Sequence, residues 1–296
     1  MQNYIIVTTA KNEENNIEKC ILSVIKQTIK PIKWYIVDDN SNDKTADIVT
    51  KYADSFNFIK LIRKTESHST EYGENIVEAF RFGLNNIDID NYDYICNLDA
   101  DMEIDSPFYY ETLLNLFKND SKLGILSGIT YYYIDETKKI VYHYPWATTG
   151  ALKMYRRECF EQLGGPLPVL SWDGLDDYRA ISRGWTTKTN YDLFVHHLGQ
   201  YRSINRENTK DFYRSAGRSL YLRGYSLFYS FFKTLQYSID PGPKYAIIYF
   251  NSYLKAFFKR EQLLVNPKER RTIRKYEIIN INHYLLTKLK INNNYK

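Results

Sequence analysis

Two aspartates that flank one small residue carry the clearest chemical signal in the sequence. Asp99 and Asp101 follow the apolar stretch 92–98, which is typical of a buried strand. In an extended segment here, one carboxylate could bind a metal ion while the other accepts from a ribose hydroxyl or a metal-bound water. Such oxygen ligands suit Mg²⁺ or Mn²⁺. The alternative is a loop whose aspartates, including Asp105 before Pro107, cap a helix.

A second pair of carboxylates, Asp38 and Asp39, follows the apolar stretch 34–37 and opens the polar run 38–43. Runs of Asp, Asn and Ser form turns and cap the helix that follows them. Carboxylates at this place could equally accept from the N–H of a nucleotide base or from a ribose hydroxyl. The two roles are compatible, and the residue types alone do not separate them.

Three aspartates, Asp173, Asp176 and Asp177, lie in the segment 171–179, where the sequence predicts the start of a helix. The helix dipole favours acidic residues in a first turn, which accounts for one or two of them. The functional alternative is that one of them is a general base, which takes a proton from a hydroxyl nucleophile.

Two adjacent histidines, His196 and His197, close a further expected strand at 193–197. A histidine in such a position is more often a structural residue than a ligand. It becomes a candidate metal ligand only where a metal site lies beside it.

The first hundred residues alternate between strand-like and helix-like patterns. Strands are expected at 4–9, 34–37, 58–62 and 92–98, and helices at 17–25, 46–52 and 75–84. This alternation predicts βαβ units and a mostly parallel sheet, whose ligands bind beyond the carboxyl ends of the strands. Polar clusters follow three of these strands, at 9–14, 38–43 and 99–101. No Gly-rich phosphate loop is present, so a metal held by Asp99 and Asp101 would replace it.

The pattern is less regular after residue 105. Strands are expected at 123–133, 140–144 and 193–197, and helices at 157–163 and 173–183. Long helical stretches begin at about residue 206. The sequence therefore predicts an α/β domain at 1–205, with halves 1–105 and 106–205, and a helical region at 206–296.

Composition excludes several classes of protein. The 296 residues are 44% hydrophobic and 25% charged, which is ordinary for a globular chain and unlike a disordered one or a coiled coil. Three widely spaced cysteines make neither a disulfide framework nor a zinc knuckle, which favours a reducing, cytoplasmic setting. A net charge of +5 favours anionic partners, and no nucleic acid partner is expected. Neither a leader sequence nor a membrane-spanning helix is expected.

The C-terminal third combines many aromatic residues with interleaved Lys and Arg. One interpretation is that its helices pack on the preceding domain with the aromatic rings inward. The other is that they lie on an anionic membrane, with Tyr at headgroup depth and the basic side chains reaching outward. Both can hold for different helix faces. Membrane contact would place the protein at the cytoplasmic face and would suit a lipid-linked acceptor.

Taken together, these segments resemble the family 2 glycosyltransferases of GT-A fold, over about residues 4–200. The similar segments are the first strand and nucleotide loop at 7–14, the second-strand motif at 36–45, the metal motif at 98–101 and the acceptor-side segment at 150–165. Counting places Asp173 at the family's catalytic aspartate, with Arg179 six residues later and Trp172 where Glu is usual. The resemblance implies an α/β fold of the GT-A, Rossmann-like kind: a three-layer sandwich around a mostly parallel sheet.

The resemblance also implies a role for each cluster. The residues expected to bind the nucleotide are Thr9, Ala10, Asn12, Glu13, Asp38, Asp39 and Asp99. Asp99 and Asp101, with His196 or His197, would hold Mn²⁺ or Mg²⁺. Asp173 would be the catalytic base, and the alternatives for that role are Asp176 and Asp177.

The implied reaction is inverting transfer of a sugar from a nucleoside-diphosphate sugar to a hydroxyl of a glycan or lipid-linked acceptor, as in polysaccharide biosynthesis. A UDP-sugar is the favoured donor, with GDP- and dTDP-sugars as alternatives. Two other functions stay open: a non-catalytic module that binds nucleotide sugars or glycans, and a scaffold at a membrane surface.

Overall fold

The computed structural model describes residues 2–65, 74–88, 90–199 and 210–293, with side chains of the last helix described up to residue 285. Contacts divide the chain into two compact units, residues 1–202 and 203–296. The predicted boundary at residue 205 lies among residues 200–209, outside those described, and stays a prediction.

The described part of the first unit is a nine-stranded sheet with helices on its faces. Its strands are β1 (Tyr4–Ala10), β2 (Lys33–Asp39), β3 (Ile59–Lys64), β4 (Tyr94–Asn97), β5 (Met102–Ile104), β6 (Leu123–Ile134), β7 (Thr137–Ile140), β8 (Met154–Arg156) and β9 (Thr186–His197). Its helices are α1 (Ile17–Ile25), α2 (Thr45–Ser55), α3 (Glu74–Leu84), α4 (Tyr109–Asn119), α5 (Arg157–Leu163) and α6 (Trp172–Ser182), with a 3₁₀ turn at Gly150–Leu152.

The strands lie in the order β3-β2-β1-β4-β8-β6-β9-β5, with β7 beside β6. The pairs β1–β2, β2–β3 and β1–β4 are parallel, as the strand–helix alternation predicts, and so is β6–β9. Pairs that involve β5, β7 or β8 are antiparallel. The first half of the sheet is therefore parallel and the second half is mixed.

Helices cover both faces of the sheet, so that the central strands are buried on both sides. In β1, Tyr4 and Ile6 belong to the core under α1, α2 and α4, whereas Ile5 and Val7 belong to the core under α3, α5 and α6. This burial explains why β1 is a continuous apolar run rather than an alternating one. The predicted three-layer arrangement is confirmed.

The sequence patterns missed two short strands and one helix and misplaced one strand. β5 and β8 have three residues each, too few to show a periodicity, and α4 was not expected. The predicted strand at 140–144 is wrong, because β7 lies at 137–140. A two-residue turn at Asp135 and Glu136, both with positive φ, joins β7 directly to β6.

The second unit consists, in its described residues, of four helices. They are α7 (Lys210–Leu222), α8 (Leu227–Ile239), α9 (Pro243–Phe258) and α10 (Pro267–Asn293). Helices α7 and α9 approach closely at Gly217, where a Cβ would lie 2.0 Å from the carbonyl oxygen of Tyr249. None of the described helices combines the length and the apolar character needed to cross a membrane.

Candidate active site

The short strand β5 explains how residues distant in sequence meet at one end of the sheet. It pairs antiparallel with β9, in a register that sets Met102 opposite His197 and Glu103 opposite His196. His197 Nε2 lies 2.9 Å from Asp101 Oδ2. Burial by itself would lower the pKa of His197, but the hydrogen bond and the charge of Asp101 raise that pKa above its ordinary value.

His196 points to the other side of β9. Its ring stacks on that of Tyr131, with centroids 4.9 Å apart, and its Nδ1 lies 3.5 Å from Glu103 Oε2. Of the two predicted alternatives, the structure therefore brings His197 to the aspartate pair.

Asp99 and Asp101 do not lie in an extended segment, so that part of the prediction is wrong. The chain turns between β4 and β5, and the Met102 N–H donates to the Asp99 carbonyl over 3.3 Å. Burial and the nearby charge of Asp101 raise the pKa of Asp99 to about 7, while Asn97 and His197 act in the opposite direction. The carboxylates of Asp99 and Asp101 thus lie within electrostatic reach of each other, as binding of one cation by both would require.

Asn97 and the 3₁₀ turn connect Asp99 to Asp173. Asn97 Nδ2 donates to Asp99 Oδ1 over 3.0 Å and to the Gly150 carbonyl over 2.8 Å. The Asp99 N–H donates to the Ala151 carbonyl over 3.0 Å. A Cβ on Gly150 would lie 2.8 Å from Asp173 Cβ and 2.9 Å from its Oδ2. One backbone segment therefore separates Asp99 from Asp173.

Asp173 lies in the first turn of α6 and is partly exposed. Within the described part of the chain its carboxylate takes part in no hydrogen bond, while its carbonyl accepts from Lys153 Nζ over 2.8 Å. Its negative charge contributes to the raised pKa of Asp99. It also opposes the lowering of the pKa of His143 that burial causes. The charge of Asp173 thus lies within electrostatic reach of Asp99 and of His143.

Asp176 and Asp177 are both fully buried and already bonded. Asp176 Oδ1 accepts from Arg179 over 2.9 Å. Asp177 accepts from Lys153 Nζ over 2.7 Å and from the hydroxyl and the N–H of Thr148. Burial raises the pKa of both carboxyls, to about 6 for Asp177. Both hold α6 in place rather than facing a cleft.

The loops after β1 and β2 are tied together by hydrogen bonds. The Asn12 N–H donates to Ser41 Oγ over 3.0 Å, and the Asn42 N–H donates to Asn12 Oδ1 over 2.8 Å. The Glu13 N–H donates to Thr45 Oγ1 over 2.8 Å. The predicted nucleotide loop and the second polar cluster therefore form one surface beyond the carboxyl ends of two parallel strands.

Asp38 and Asp39 are both buried and have different partners. Asp38 Oδ1 accepts from the Ser41 N–H over 3.2 Å, which is the expected turn role. Asp39 Oδ1 accepts from Lys64 Nζ over 2.7 Å, and Lys11 Nζ lies 3.9 Å from its Oδ2. Lysines thus fix the Asp39 carboxylate at the strand ends.

Thr9 and Ala10 end β1 beside these aspartates. Thr9 is partly exposed, whereas the methyl group of Ala10 is buried in the core. Ala10 lies opposite Asp38 in the parallel register of β1 and β2. Ala10 can therefore offer a ligand only its backbone groups.

The donor set around Asp99 fits a divalent cation in its chemistry. Asp101 and His197 are hydrogen-bonded to each other, and the raised pKa of Asp99 reflects its burial beside other negative charge, that of Asp101 included. Among the described residues no three acidic, His or Cys side chains are arranged to hold a metal by themselves. The missing ligands would then be oxygens of a bound diphosphate or water.

Sequence reasoning missed the residues that support this site. Asn97 lies inside a strand, Gly150 lies in an irregular segment, and Lys153 is a buried lysine just before β8. The one usable signal was Asn97, a polar residue within an otherwise apolar stretch. The sequence did not indicate a role for His143, because this residue is distant from Asp173 along the chain and comes near it only in the folded protein.

A sheet of this order, with polar clusters at its carboxyl edge, is that of the GT-A fold. Over 91% of its length the chain resembles the mannosyltransferase PcManGT of Pyrobaculum calidifontis, solved with GDP-Man and Mn²⁺, with a TM-score of 0.56, 17% identity and 72% of that chain covered. It also resembles TarS (1–349) of Staphylococcus aureus in complex with UDP-GlcNAc, with a TM-score of 0.55, 16% identity and 92% and 78% of the two chains covered. These likenesses show the fold, and the predicted GT-A fold is confirmed.

The sequence matches the family described as Glycosyl transferase family 2 over residues 5–174. The chain therefore belongs to glycosyl transferase family 2, as the motifs predicted. One curated relative is the poly-beta-1,6-N-acetyl-D-glucosamine synthase of Staphylococcus aureus (strain MSSA476), 28% identical over 120 residues. That match spans 40% of this chain and only 26% of the relative's length.

Proposed function

We propose that the chain is an inverting glycosyltransferase that moves a sugar from a nucleoside-diphosphate sugar to a hydroxyl group of a glycan or lipid-linked acceptor. The observation that carries the proposal is the bridge from Asn97 to Asp99 and Gly150, with Asp173 packed on the far side of Gly150. It keeps a candidate base close to a candidate donor site. Family membership supports the reaction class, and this geometry supports the roles proposed below.

Asp173 is the proposed catalytic base. Its carboxylate is partly exposed and makes no hydrogen bond among the described residues, so it can accept a proton. Asp176 and Asp177, the alternatives, are poor candidates because each is buried and already holds a cation. This chain has Trp172 where the family usually has Glu. The carboxylate of Asp173 still lies in the first turn of α6.

The proposed donor site is the joined surface of the loops after β1 and β2. Thr9, Asn12 and Glu13 would contact the nucleoside from one loop, and Ala10 would do so through its backbone. Asp38 and Asp39 would accept from a base N–H or a ribose hydroxyl, with Lys64 keeping Asp39 in place. Uracil, thymine and guanine each carry a ring N–H from which such a carboxylate can accept. A UDP-sugar is the favoured donor, and GDP- and dTDP-sugars are the other candidates.

Asp99, Asp101 and His197 would hold Mn²⁺ or Mg²⁺. When bound, such a cation acts as a Lewis acid that offsets the charge of the departing diphosphate. The chain supplies for this purpose a pair of carboxylates and an imidazole that is hydrogen-bonded to one of them. Asp99 would also reach the ribose side of the donor.

The proposed chemistry is a single displacement. Asp173 takes the proton of the acceptor hydroxyl while that oxygen attacks the anomeric carbon. The bond from the anomeric carbon to the phosphate oxygen breaks, and the nucleoside diphosphate leaves with the electron pair. Attack from the side opposite to the leaving group inverts the anomeric configuration.

We further propose that the protein acts in the cytoplasm, where thiols stay reduced. Cys20, Cys96 and Cys159 are free and buried. The three thiols pack as apolar side chains rather than forming a disulfide framework.

The function is tested with purified protein and three nucleotides: UDP, GDP and dTDP, each with MnCl₂ or with EDTA. A ligand that binds only the folded state raises the midpoint of thermal unfolding, and we expect a metal-dependent rise with one nucleotide. The matching sugar nucleotide should then release its nucleoside diphosphate. Failure of all three nucleotides to bind would contradict the proposal.

The role of Asp173 is tested by Asp173→Asn with Asp54→Asn as the matched control, because Asp54 is an exposed aspartate at the end of α2. Asp173→Asn should lower nucleoside diphosphate release by about 100-fold or more and keep the nucleotide-induced rise in unfolding temperature. Asp54→Asn should change neither. Full activity in Asp173→Asn would exclude Asp173 as the base.

A further inference from the structure

The outward side of helix α8 is mainly apolar, and Ser238 is its exposed polar residue. Its exposed large side chains are Leu227, Phe228, Phe231, Leu235 and Ile239, with Phe228 67% and Ile239 83% exposed. Their spacing of one, three or four residues places them on one side of the helix. A helix side that faces water normally carries charged residues, but the one charged residue of α8, Lys233, is partly buried away from this side.

Helix α9 extends this surface. Ile247 is 59% exposed, and the ring of Phe250 lies 6.2 Å from that of Phe231, so the outward sides of α8 and α9 are continuous. The apolar face, defined here as Leu227, Phe228, Phe231, Leu235, Ile239 and Ile247, is a contiguous patch of the kind that marks an interaction site.

The interior of the helical unit, from α7 to α9, holds tyrosines instead. Tyr213, Tyr225, Tyr249 and Tyr253 are all buried. The ring of Tyr237 lies about edge-on to those of Tyr213 and Tyr249. In water the opposite arrangement is expected, because a tyrosine hydroxyl favours solvent and a phenylalanine ring does not. The placement differs from the expectation of tyrosines at headgroup depth and leaves phenylalanines as the outward rings.

Charge indicates what covers the apolar face. Residues 203–296 contain 18 Lys and Arg but only six Asp and Glu. Lys244, Lys255, Lys259 and Arg260 are exposed on α9 or directly after it, next to the exposed apolar side chains. Glu261 is paired with Arg218 over 2.8 Å and does not offset them. A surface that is apolar and bordered on α9 by basic side chains complements an anionic lipid bilayer, and Asp240 directly after α8 is the exposed acidic residue beside it.

We propose that the apolar face lies in the interface of an anionic bilayer, with α8 and α9 parallel to its surface. The phenylalanine rings occupy the boundary of the acyl chains, and the basic side chains reach the lipid phosphates. This association needs neither nucleotide nor metal. It therefore goes beyond the proposed glycosyl transfer and can fail or hold independently of it.

The experiment is cosedimentation of the full chain with vesicles, in the absence of nucleotide and divalent metal. Vesicles contain phosphatidylcholine alone or phosphatidylcholine mixed with phosphatidylglycerol. We expect binding to the anionic vesicles that weakens as salt increases. The double variant Phe228→Ser/Phe231→Ser should weaken that binding by at least about tenfold, because it removes two rings from the buried area.

Phe108→Ser is the matched control, because Phe108 is 55% exposed but lies in the first unit. It should bind vesicles like the unchanged protein. An unchanged midpoint of thermal unfolding shows that each variant is folded. If the phenylalanine variant does not fold, Lys255→Glu/Lys259→Glu serves instead and should abolish the preference for anionic vesicles.

Two results would overturn the proposal. One is equal vesicle binding by the phenylalanine variant and the unchanged protein. The other is no vesicle binding at all, together with a change from dimer to monomer in sedimentation velocity when Phe228 and Phe231 are replaced. The second result would assign the apolar face to contact between two copies of the chain.

Discussion

Gly150 and Asp173 lie so close together that no side chain fits between them. A Cβ on Gly150 would come within 2.8 Å of Asp173 Cβ and 2.9 Å of Asp173 Oδ2. The carbonyl of the same glycine accepts a hydrogen bond from the side-chain amide of Asn97. That amide donates a second hydrogen bond to Asp99. The position of Asp173 relative to Asp99 therefore depends on the absence of a side chain at residue 150.

Gly150→Ala should displace the Asp173 carboxylate and lower transfer activity. A Cβ atom does not come within 3 Å of another heavy atom in real structures, so α6 or the 3₁₀ turn must shift. A displacement of about 1 Å at a catalytic group can lower the rate by on the order of 100-fold. The measurement is nucleoside diphosphate release, with nucleotide binding measured alongside by thermal unfolding.

Gly174→Ala is the control for that variant, because Gly174 follows Asp173 in α6 and a Cβ there meets nothing within 4 Å. It should leave activity unchanged and stabilise the fold by up to about 1 kcal/mol, as alanine favours a helix over glycine. Equal activity losses in both variants would show that α6 tolerates no change, and the argument from Gly150 would fail.

Lys153→Met should destabilise the fold by about 3–5 kcal/mol at pH 8, because it leaves the Asp177 carboxylate buried without its cation. The two groups are 2.7 Å apart and both are fully buried. The measurement is the free energy of unfolding in urea at pH 5 and at pH 8.

The pH dependence follows from the pKa of Asp177, which burial raises to about 6 although Lys153 lowers it. The pKa in the unfolded chain is about 3.9, so the protonated form adds stability below that pH and the contribution is lost as pH rises through about 6. Without Lys153 the pKa rises further, and the loss of stability should be larger at pH 8 than at pH 5. Asp177→Asn added to Lys153→Met should remove this difference.

Lys64→Met should both destabilise the protein and weaken nucleotide binding. Lys64 and Asp39 are buried and 2.7 Å apart, so the variant leaves the charged Asp39 with only the more distant and half-exposed Lys11 beside the proposed base-binding surface, at a cost of about 3 kcal/mol. Denaturation in urea and nucleotide titration measure the two effects.

Lys60→Met provides the comparison on the same strand. Lys60 also lies 2.7 Å from a carboxylate, that of Asp88, but this pair is exposed to solvent. Exposed pairs contribute at most about 1 kcal/mol, and Asp88 lies outside the proposed donor site. If the two lysine variants lowered stability equally, burial would not be the cause of the Lys64 effect.

The first four strands and the polar clusters after them were predictable, because long buried strands and helices with a regular apolar side leave a clear periodicity. The parallel pairing of β1 with β2 and β4 then brings Asp38 and Asp99 to one edge of the sheet. Local chemistry in the same segments also predicted the turn at Asp38.

The remaining part of the site depends on contacts that local sequence does not encode. β5 is only three residues long, yet its pairing with β9 decides that His197 rather than His196 meets Asp101. The turn from Asp99 to Met102 replaced the extended geometry that was predicted. The sequence showed that the C-terminal third is rich in aromatic residues. Which of them are exposed, such as the phenylalanines of α8, depends on how the helices of the second unit pack.

His197→Ala and His196→Ala form the sharpest test of the proposed metal site, because the two residues are adjacent and face opposite sides of β9. His197 is hydrogen-bonded to Asp101, whereas His196 stacks on Tyr131. Loss of a group that binds or orients a metal costs on the order of 10–100-fold in metal affinity. We therefore expect His197→Ala to raise by that factor the Mn²⁺ concentration that supports nucleotide binding, measured as the rise in unfolding temperature at fixed nucleotide. His196→Ala should alter the unfolding temperature of the free protein and leave the Mn²⁺ requirement unchanged. The reverse pattern would move the metal site to the other side of β9 and remove Asp101 from it.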